Sequence, residues 1–318
     1  MGKSFKTLVT GNVPKGWTGD LANVSDIIIW SGEKSFLLPR IELLNLLPEV
    51  DAVVNFAELR VDKELLDNAP KLKIIANASI GYDNLDLIEL TERKIWASNS
   101  PGYFNFAVAE YVIAGMLYLS RRIGEAERFV RNGNWDSFEP GRWDGDSLRE
   151  KTLGIVGMGA IGSELTKLAN CIGMKVRYFD IFNRALPGFS ELEDLLSISD
   201  FVSINVPLSP STKKMVNQDF IDMMKKDVIL INTSRGAIID ESALMKALLS
   251  GRLKGAVLDV FENEPSVPEM LRKLDNVILT PHIAGGTKSS RKACMENAFL
   301  NVYSVFTGNK PLNPLNNI

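Results

Sequence analysis

The sequence predicts an α/β protein built from two doubly wound, parallel-sheet domains. Three observations carry that expectation. Short apolar runs alternate with amphipathic segments over residues 1–100; a second, longer series of such runs starts near Lys151; and a glycine-rich turn directly follows the first run of that second series. With 318 residues, 45% hydrophobic and 24% charged, the chain can fill two hydrophobic cores and is too apolar for disorder.

In chain order, the runs TLVTG, DIIIW, AVVNF and KIIANAS read as strands, with helices at Leu37 to Leu47 and Val61 to Asn68 between them. The stretch PGYFNFAVAEYVIAGMLYLSRRIGEAERFVRNG follows. It opens on Pro101, closes on Gly133 as a helix C-cap, and reads as one long helix. Its first half is apolar almost all round, so it must be buried on several sides, at a domain boundary or a subunit interface. The second series is LGIVG, VRYF, FVSINV, VILIN, AVLD and VILT, six strands separated by helix-length segments. A last amphipathic segment, Thr287 to Phe306, ends at Gly308 and a proline-rich tail, and is expected to return to the first domain. The expected division is therefore 1–100 with 287–318, and 101–286.

Composition excludes several functions. Lysine and arginine total 36 against 39 acidic residues, a net charge of -3, which gives no general attraction for nucleic acid or an anionic membrane. Cys171 and Cys294 cannot form a disulfide framework, and with the single histidine, His282, they are too few for a structural zinc site, so no metal is expected. The N-terminus lacks the apolar core of a signal peptide. The most apolar stretch, Ala107 to Leu119, is interrupted by Glu110 and is shorter than the roughly 20 residues a membrane helix needs. A reducing cytoplasm is the expected compartment.

The chemistry gathers at strand ends of the second series. In LGIVGMGAIG, Gly157, Gly159 and Gly162 form G-x-G-x-x-G between a strand and a helix, the arrangement that cradles a dinucleotide pyrophosphate in a Rossmann-like fold. The next strand ends in Asp180, where a carboxylate can accept the ribose hydroxyls of NAD and repel a 2′-phosphate. Arg235 follows the fourth strand, Asp259 and Glu264 the fifth, and His282 the sixth. Ligands of open parallel sheets bind beyond these carboxyl ends. An imidazolium suits proton donation to a developing alkoxide, a neighbouring carboxylate favours its charged form, and a guanidinium can grip a substrate carboxylate. His282, Glu264 and Arg235 fit those roles for hydride transfer between NAD(H) and a hydroxy or oxo acid. Asp259 reads either as the holder of the nicotinamide amide or as a solvated strand cap.

Seven spaced blocks, ASIGYDNLD, NSPGYFNFAVAE, KTLGIVGMGAIG, NVPLSPST, INTSRGAIID, LDVFENEP and TPHIAGGT, resemble the D-isomer-specific 2-hydroxyacid dehydrogenases over essentially the whole chain. The resemblance implies a catalytic triad of Arg235, Glu264 and His282, two domains with the site in the cleft between them, and a homodimer; because hydride transfer benefits from excluding water, domain closure is also expected, with the crossings near 99–102 and 285–287 as hinge candidates. It also implies cofactor contacts from Ala160, Ile161, Val206, Pro207, Thr212 and Thr233, and a substrate-carboxylate site on the backbone N–H groups of Ser79, Ile80 and Gly81. Within the family, residues 60–86 look most like glyoxylate and hydroxypyruvate reductases, and Glu264 departs from the glutamine of formate dehydrogenases. Asp180 favours NAD, while Arg184 in a shortened segment leaves NADP usable. The competing reading is an NADH-sensing, catalytically weak binding protein similar to dehydrogenase-like corepressors.

Overall fold

A computed structural model describes residues 3–31, 35, 37–56, 59–182 and 185–318. It divides into two compact units, Met1–Phe104 with Thr287–Ile318, and Asn105–Gly286. Each holds one wholly parallel sheet. The doubly wound α/β class is therefore the observed one.

The first unit carries β1 (Phe5–Val9), β2 (Ser25–Ile29), β3 (Ala52–Asn55), β4 (Ile74–Asn77) and β5 (Trp96–Ser98), in the order β2-β1-β3-β4-β5. Its helices before the second unit are α1 (Leu21–Val24), α2 (Arg40–Leu46), α3 (Lys63–Asp67) and α4 (Leu87–Glu92). Strands β3 and β4 have no exposed residue, as strands covered on both faces require, which is why they read as continuous apolar runs. Helix α2 begins only after Pro39, later than the hydrophobic pattern from Leu37 suggests, because a proline disfavours helical backbone in the residue before it. Asp62 and Asp86 cap α3 and α4 by accepting from Leu65 N and Glu89 N. The edge of β5 is closed by the chain's last residues. Ser98 pairs antiparallel with Pro314, Leu315 N donates to Ala97 O, and the Asn316 side chain bonds Ala97 N and Ile95 O.

The second unit opens with two helices, α5 (Asn105–Ser120) and α6 (Ile123–Arg131), in place of the single helix expected. The break lies at Arg122, whose φ of 53° reverses the chain and whose guanidinium then holds Glu125 in the first turn of α6. The expected C-terminal glycine is in place, with Gly133 at φ 71° just past α6. Helix α5 buries Ala109, Val112 and Met116, and at Gly115 it lies so close to Val257 that a Cβ would approach the valine methyl to 2.8 Å. Six strands follow, β6 (Thr152–Val156), β7 (Lys175–Phe179), β8 (Phe201–Ile204), β9 (Val228–Asn232), β10 (Leu253–Leu258) and β11 (Val277–Leu279). Between them run α7 (Ala160–Cys171), α8 (Leu192–Ile198), α9 (Gln218–Met223), α10 (Glu241–Leu249) and α11 (Glu269–Arg272). The order is β11-β10-β9-β8-β6-β7, so the direction of winding reverses between β6 and β8. Finally, α12 (Lys288–Phe306), capped by Thr287, packs through Met295, Ala298, Phe299 and Val302 on β3 and β4 of the first unit. No helix among the described residues is long and apolar enough to cross a membrane.

Candidate active site

The reversal between β6 and β8 is where an open parallel sheet leaves a crevice, and the glycine-rich turn lies on it. Gly157 has φ 99°, and a Cβ there would stand 2.7 Å from Asn205 O and 2.9 Å from Val206, both at the end of β8. Only glycine lets the two strand ends approach this closely. Above Gly159 the space is open, and α7 starts at Ala160, Ile161 and Gly162 with no side-chain cap, so its first N–H groups have no intrahelical partner. Asp180 reaches back across the turn, accepting from Met158 N at 2.8 Å and Phe182 N at 2.9 Å. Pro207 and Thr212 belong to a short turn beyond β8, closed by Thr212 Oγ1 donating to Pro207 O. Thr233 follows β9. Arg184 lies outside the described residues.

A second group collects at the ends of β9, β10 and β11. His282 Nδ1 lies 3.0 Å from Glu264 Oε2, while Glu264 Oε1 accepts from Phe261 N at 3.0 Å. Burial works to raise the Glu264 carboxyl, but the hydrogen bonds from His282 and Phe261 and the charges of His282 and Arg235 outweigh it and hold it below the usual range. The Glu264 hydrogen bond raises His282 above an ordinary imidazole, against burial and the Arg235 charge. Arg235 is thus near enough to act on both partners. Its loop is shaped by Asn232, which donates to Arg235 O and accepts from Ser234 N. A Cβ on Gly236 would fall 1.8 Å from the Phe261 carbonyl carbon, so glycine is what lets this loop meet the Glu264 loop.

Of the two readings of Asp259, the structure overturns the solvated strand cap. Completely buried, its carboxylate accepts from Thr280 Oγ1 at 2.6 Å, Ile283 N at 2.8 Å and Ala284 N at 2.7 Å, and its carbonyl accepts from His282 N at 2.9 Å. It is not a solvated cap: three of its roughly four acceptor sites clamp the turn that carries His282. That turn holds His282 at φ 54°, a backbone state a non-glycine residue keeps only when its surroundings impose it. Burial raises the Asp259 carboxyl against these hydrogen bonds. Tyr111 of α5 extends the clamp by bonding Thr280 Oγ1. Tyr111, Thr280 and Asn232 escape sequence reasoning; the placement of Asn232 as the last residue of a buried strand is the available signal.

In the first unit, Ser79, Ile80 and Gly81 form the turn after β4. Every carbonyl of the three is engaged: Ser79 O by Ser100 N, Ile80 O by Asn99 Nδ2, and Gly81 O by Ser79 Oγ and Asn77 Nδ2. Among the described residues, none of their N–H groups donates to an acceptor. Unpaired, partly exposed N–H groups of this kind are suited to an anion.

With both geometries described, known proteins place the chain. The pattern described as D-isomer specific 2-hydroxyacid dehydrogenase, NAD binding domain, matches residues 113–284. A glyoxylate reductase of Thermococcus litoralis is 42% identical, the alignment covering 98% of this chain and 96% of that enzyme. The chain belongs to the D-isomer-specific 2-hydroxyacid dehydrogenases. A glyoxylate reductase of Pyrococcus horikoshii is 38% identical over 96% of this chain and 94% of its own length. Among solved structures, the TT0316 protein of Thermus thermophilus superposes with a TM-score of 0.93 at 36% identity, covering 98% of this chain and all of that one. An NADPH-dependent glyoxylate/hydroxypyruvate reductase of Sinorhizobium meliloti, solved with NADP and malonate, gives 0.83 at 30% identity, covering 98% and 96%. This dehydrogenase is thus an NAD(P)-dependent 2-hydroxyacid oxidoreductase with a nicotinamide cofactor.

Proposed function

We propose that this dehydrogenase reduces small 2-oxo acids, glyoxylate and hydroxypyruvate foremost, to D-2-hydroxy acids, with NADH as the preferred cofactor. The observation that carries the reading is the 3.0 Å contact between His282 Nδ1 and Glu264 Oε2 within the field of Arg235. The names of the relatives support the substrate class. The cofactor fits the residues present: Gly157 and Gly159 leave room for a pyrophosphate, Ala160, Ile161 and Gly162 offer N–H groups, and Asp180 would take the ribose hydroxyls, with Val206, Pro207, Thr212 and Thr233 alongside. When bound, NADH supplies the hydride to the substrate's carbonyl carbon.

The protein's own part follows from charge. Arg235 pairs with the substrate carboxylate and polarises the adjacent carbonyl, and the N–H groups of Ser79, Ile80 and Gly81 take further carboxylate lone pairs. Glu264 occupies Nδ1 of His282, which leaves Nε2 to pass a proton to the oxygen as negative charge develops there. Because Glu264 raises the pKa of His282, the acid stays protonated to a higher pH than a free imidazole. Asp180 supports NADH over NADPH by repelling a 2′-phosphate; the NADPH-dependent relative leaves NADPH a usable second cofactor. The reading includes a cytoplasmic homodimer, supported by unpaired cysteines and by the exposed apolar side chains Phe106, Tyr118, Val130, Trp135 and Phe138 on the second unit. No observation favours the corepressor-like alternative.

The test is consumption of NADH and NADPH, followed by absorbance, over a panel of 2-oxo acids, with chiral analysis of the product and sedimentation for oligomeric state. Turnover of glyoxylate or hydroxypyruvate to D-products is the expected result. No turnover of any 2-oxo acid with either cofactor refutes the proposal.

A further inference from the structure

The turn proposed to receive the substrate carboxylate can serve only if its peptide planes face the right way. A peptide unit is rigid, so rotating it exchanges the faces of its N–H and its C=O; fixing the oxygen fixes the hydrogen of the next residue. Ser100 N holds Ser79 O at 2.8 Å and thereby the N–H of Ile80. Asn99 Nδ2 holds Ile80 O at 2.8 Å and thereby the N–H of Gly81. Asn77 Nδ2, at 3.2 Å, and Ser79 Oγ, at 2.7 Å, hold Gly81 O and thereby the N–H of Tyr82. Resting on the proposed function, we propose that Asn99 and Asn77 are positioning residues for carboxylate recognition, holding the Ile80 and Gly81 carbonyls back so that the N–H groups of Gly81 and Tyr82 stay turned toward the substrate anion.

Neither asparagine is a loose surface group. Asn77 is wholly buried and Asn99 is 8% exposed. The Asn77 amide is itself oriented, with Nδ2 donating to Asn84 Oδ1 at 2.8 Å and Oδ1 accepting from Asn55 Nδ2 at 3.0 Å. Asn55 and Asn84 both donate to Leu59 O. This amide ladder ends on Gly81 O, while Asn99 holds Ile80 O separately. Strands β3 and β4 end in Asn55 and Asn77, and Asn99 directly follows β5, so three neighbouring strands deliver an amide to one edge of the sheet.

The experiment compares glyoxylate with its uncharged methyl ester in the full-length enzyme. In Asn99→Ala, kcat/KM for glyoxylate should fall about 10- to 100-fold, the worth of one hydrogen bond to a charged group. Turnover of the ester and the Kd for NADH should stay within about threefold, because neither engages the anion site. Asn77→Ala should show the same selectivity, and Ser79→Ala, a milder change in a partly exposed residue, a smaller loss in the same direction should the buried variants fail to fold. Equal losses for acid and ester, a parallel loss of NADH affinity, or no loss in any of the three variants would overturn the inference. A wild-type enzyme that ignores 2-oxo acids, or that does not distinguish acid from ester, would instead overturn the functional reading beneath it.

Discussion

Replacing Thr280 with valine removes one hydroxyl at nearly constant volume, and the structure says where the cost falls. The hydroxyl donates to the buried Asp259 carboxylate at 2.6 Å and accepts from Tyr111. A hydrogen bond to a charged group contributes about 1.5–3 kcal/mol, so a loss of roughly 2 kcal/mol is expected, and at about 2–4 °C per kcal/mol the Tm of the second unit should drop by about 4–8 °C. Tyr111→Phe loses only a bond between two neutral groups and should cost about 1 kcal/mol. Thr280→Ser keeps the donor and should recover most of the difference. The pH dependence sharpens the test. Burial already lifts the Asp259 carboxyl, so its ionised form is the costly one in the fold, and valine withdraws a donor that serves only that form. The added cost is therefore largest where Asp259 is ionised in the fold and is lost as pH falls through its raised folded-state pKa. Calorimetry on the three variants between neutral and mildly acid pH measures it. A Thr280→Val protein as stable as its parent across the whole pH range, or a stability gap that ignores pH, refutes the clamp.

Glu264→Gln should move the pH limit of 2-oxo acid reduction downward, since the carboxylate that keeps His282 protonated is gone; steady-state rates across pH read this, and an unmoved profile removes Glu264 from its role. His282→Asn should lower kcat by about 100-fold or more while leaving the NADH Kd nearly unchanged, measured by fluorescence titration, because proton donation belongs to the transition state. Asp180→Ser should raise the ratio of NADPH to NADH kcat/KM by about tenfold or more by removing the repulsion of a 2′-phosphate; an unaltered ratio would show that this carboxylate does not select the cofactor. Ending the chain at Thr307 should strip Pro314, Leu315 and Asn316 from the edge of β5 and produce concentration-dependent association, seen by light scattering.

Most of the sheet structure is legible because buried parallel strands are apolar throughout, and the six runs from LGIVG to VILT are each a strand. Strand β5 is not: its residues, Trp96–Ser98, read WAS, which is no apolar run, whereas the equally short β11 reads VIL. The break between α5 and α6 is hidden because Arg122, not a glycine or proline, takes the left-handed conformation, and tertiary packing rather than local preference imposes it. At the site, the glycine turn and the His282–Glu264 pairing can be read from order along the chain, since strand ends of a parallel sheet converge by topology. Hydrogen-bond partners cannot. That Asp259 faces its own following turn, and that Asn77 and Asn99 reach carbonyls of the 79–81 turn, depends on backbone paths that residue type alone does not specify.

The closure of β5 by residues 314–316 has a consequence for biosynthesis. A ribosome delivers the β1 to β5 strands first, then the entire second unit, and only afterward the helix and tail that cover the β3 and β4 face and seal the open border. The nascent first unit must wait, half clad and with the outer edge of β5 open, through the translation of about 180 further residues at roughly 5–20 residues per second. Slowing synthesis within residues 105–286 should lengthen that exposure without changing the finished enzyme.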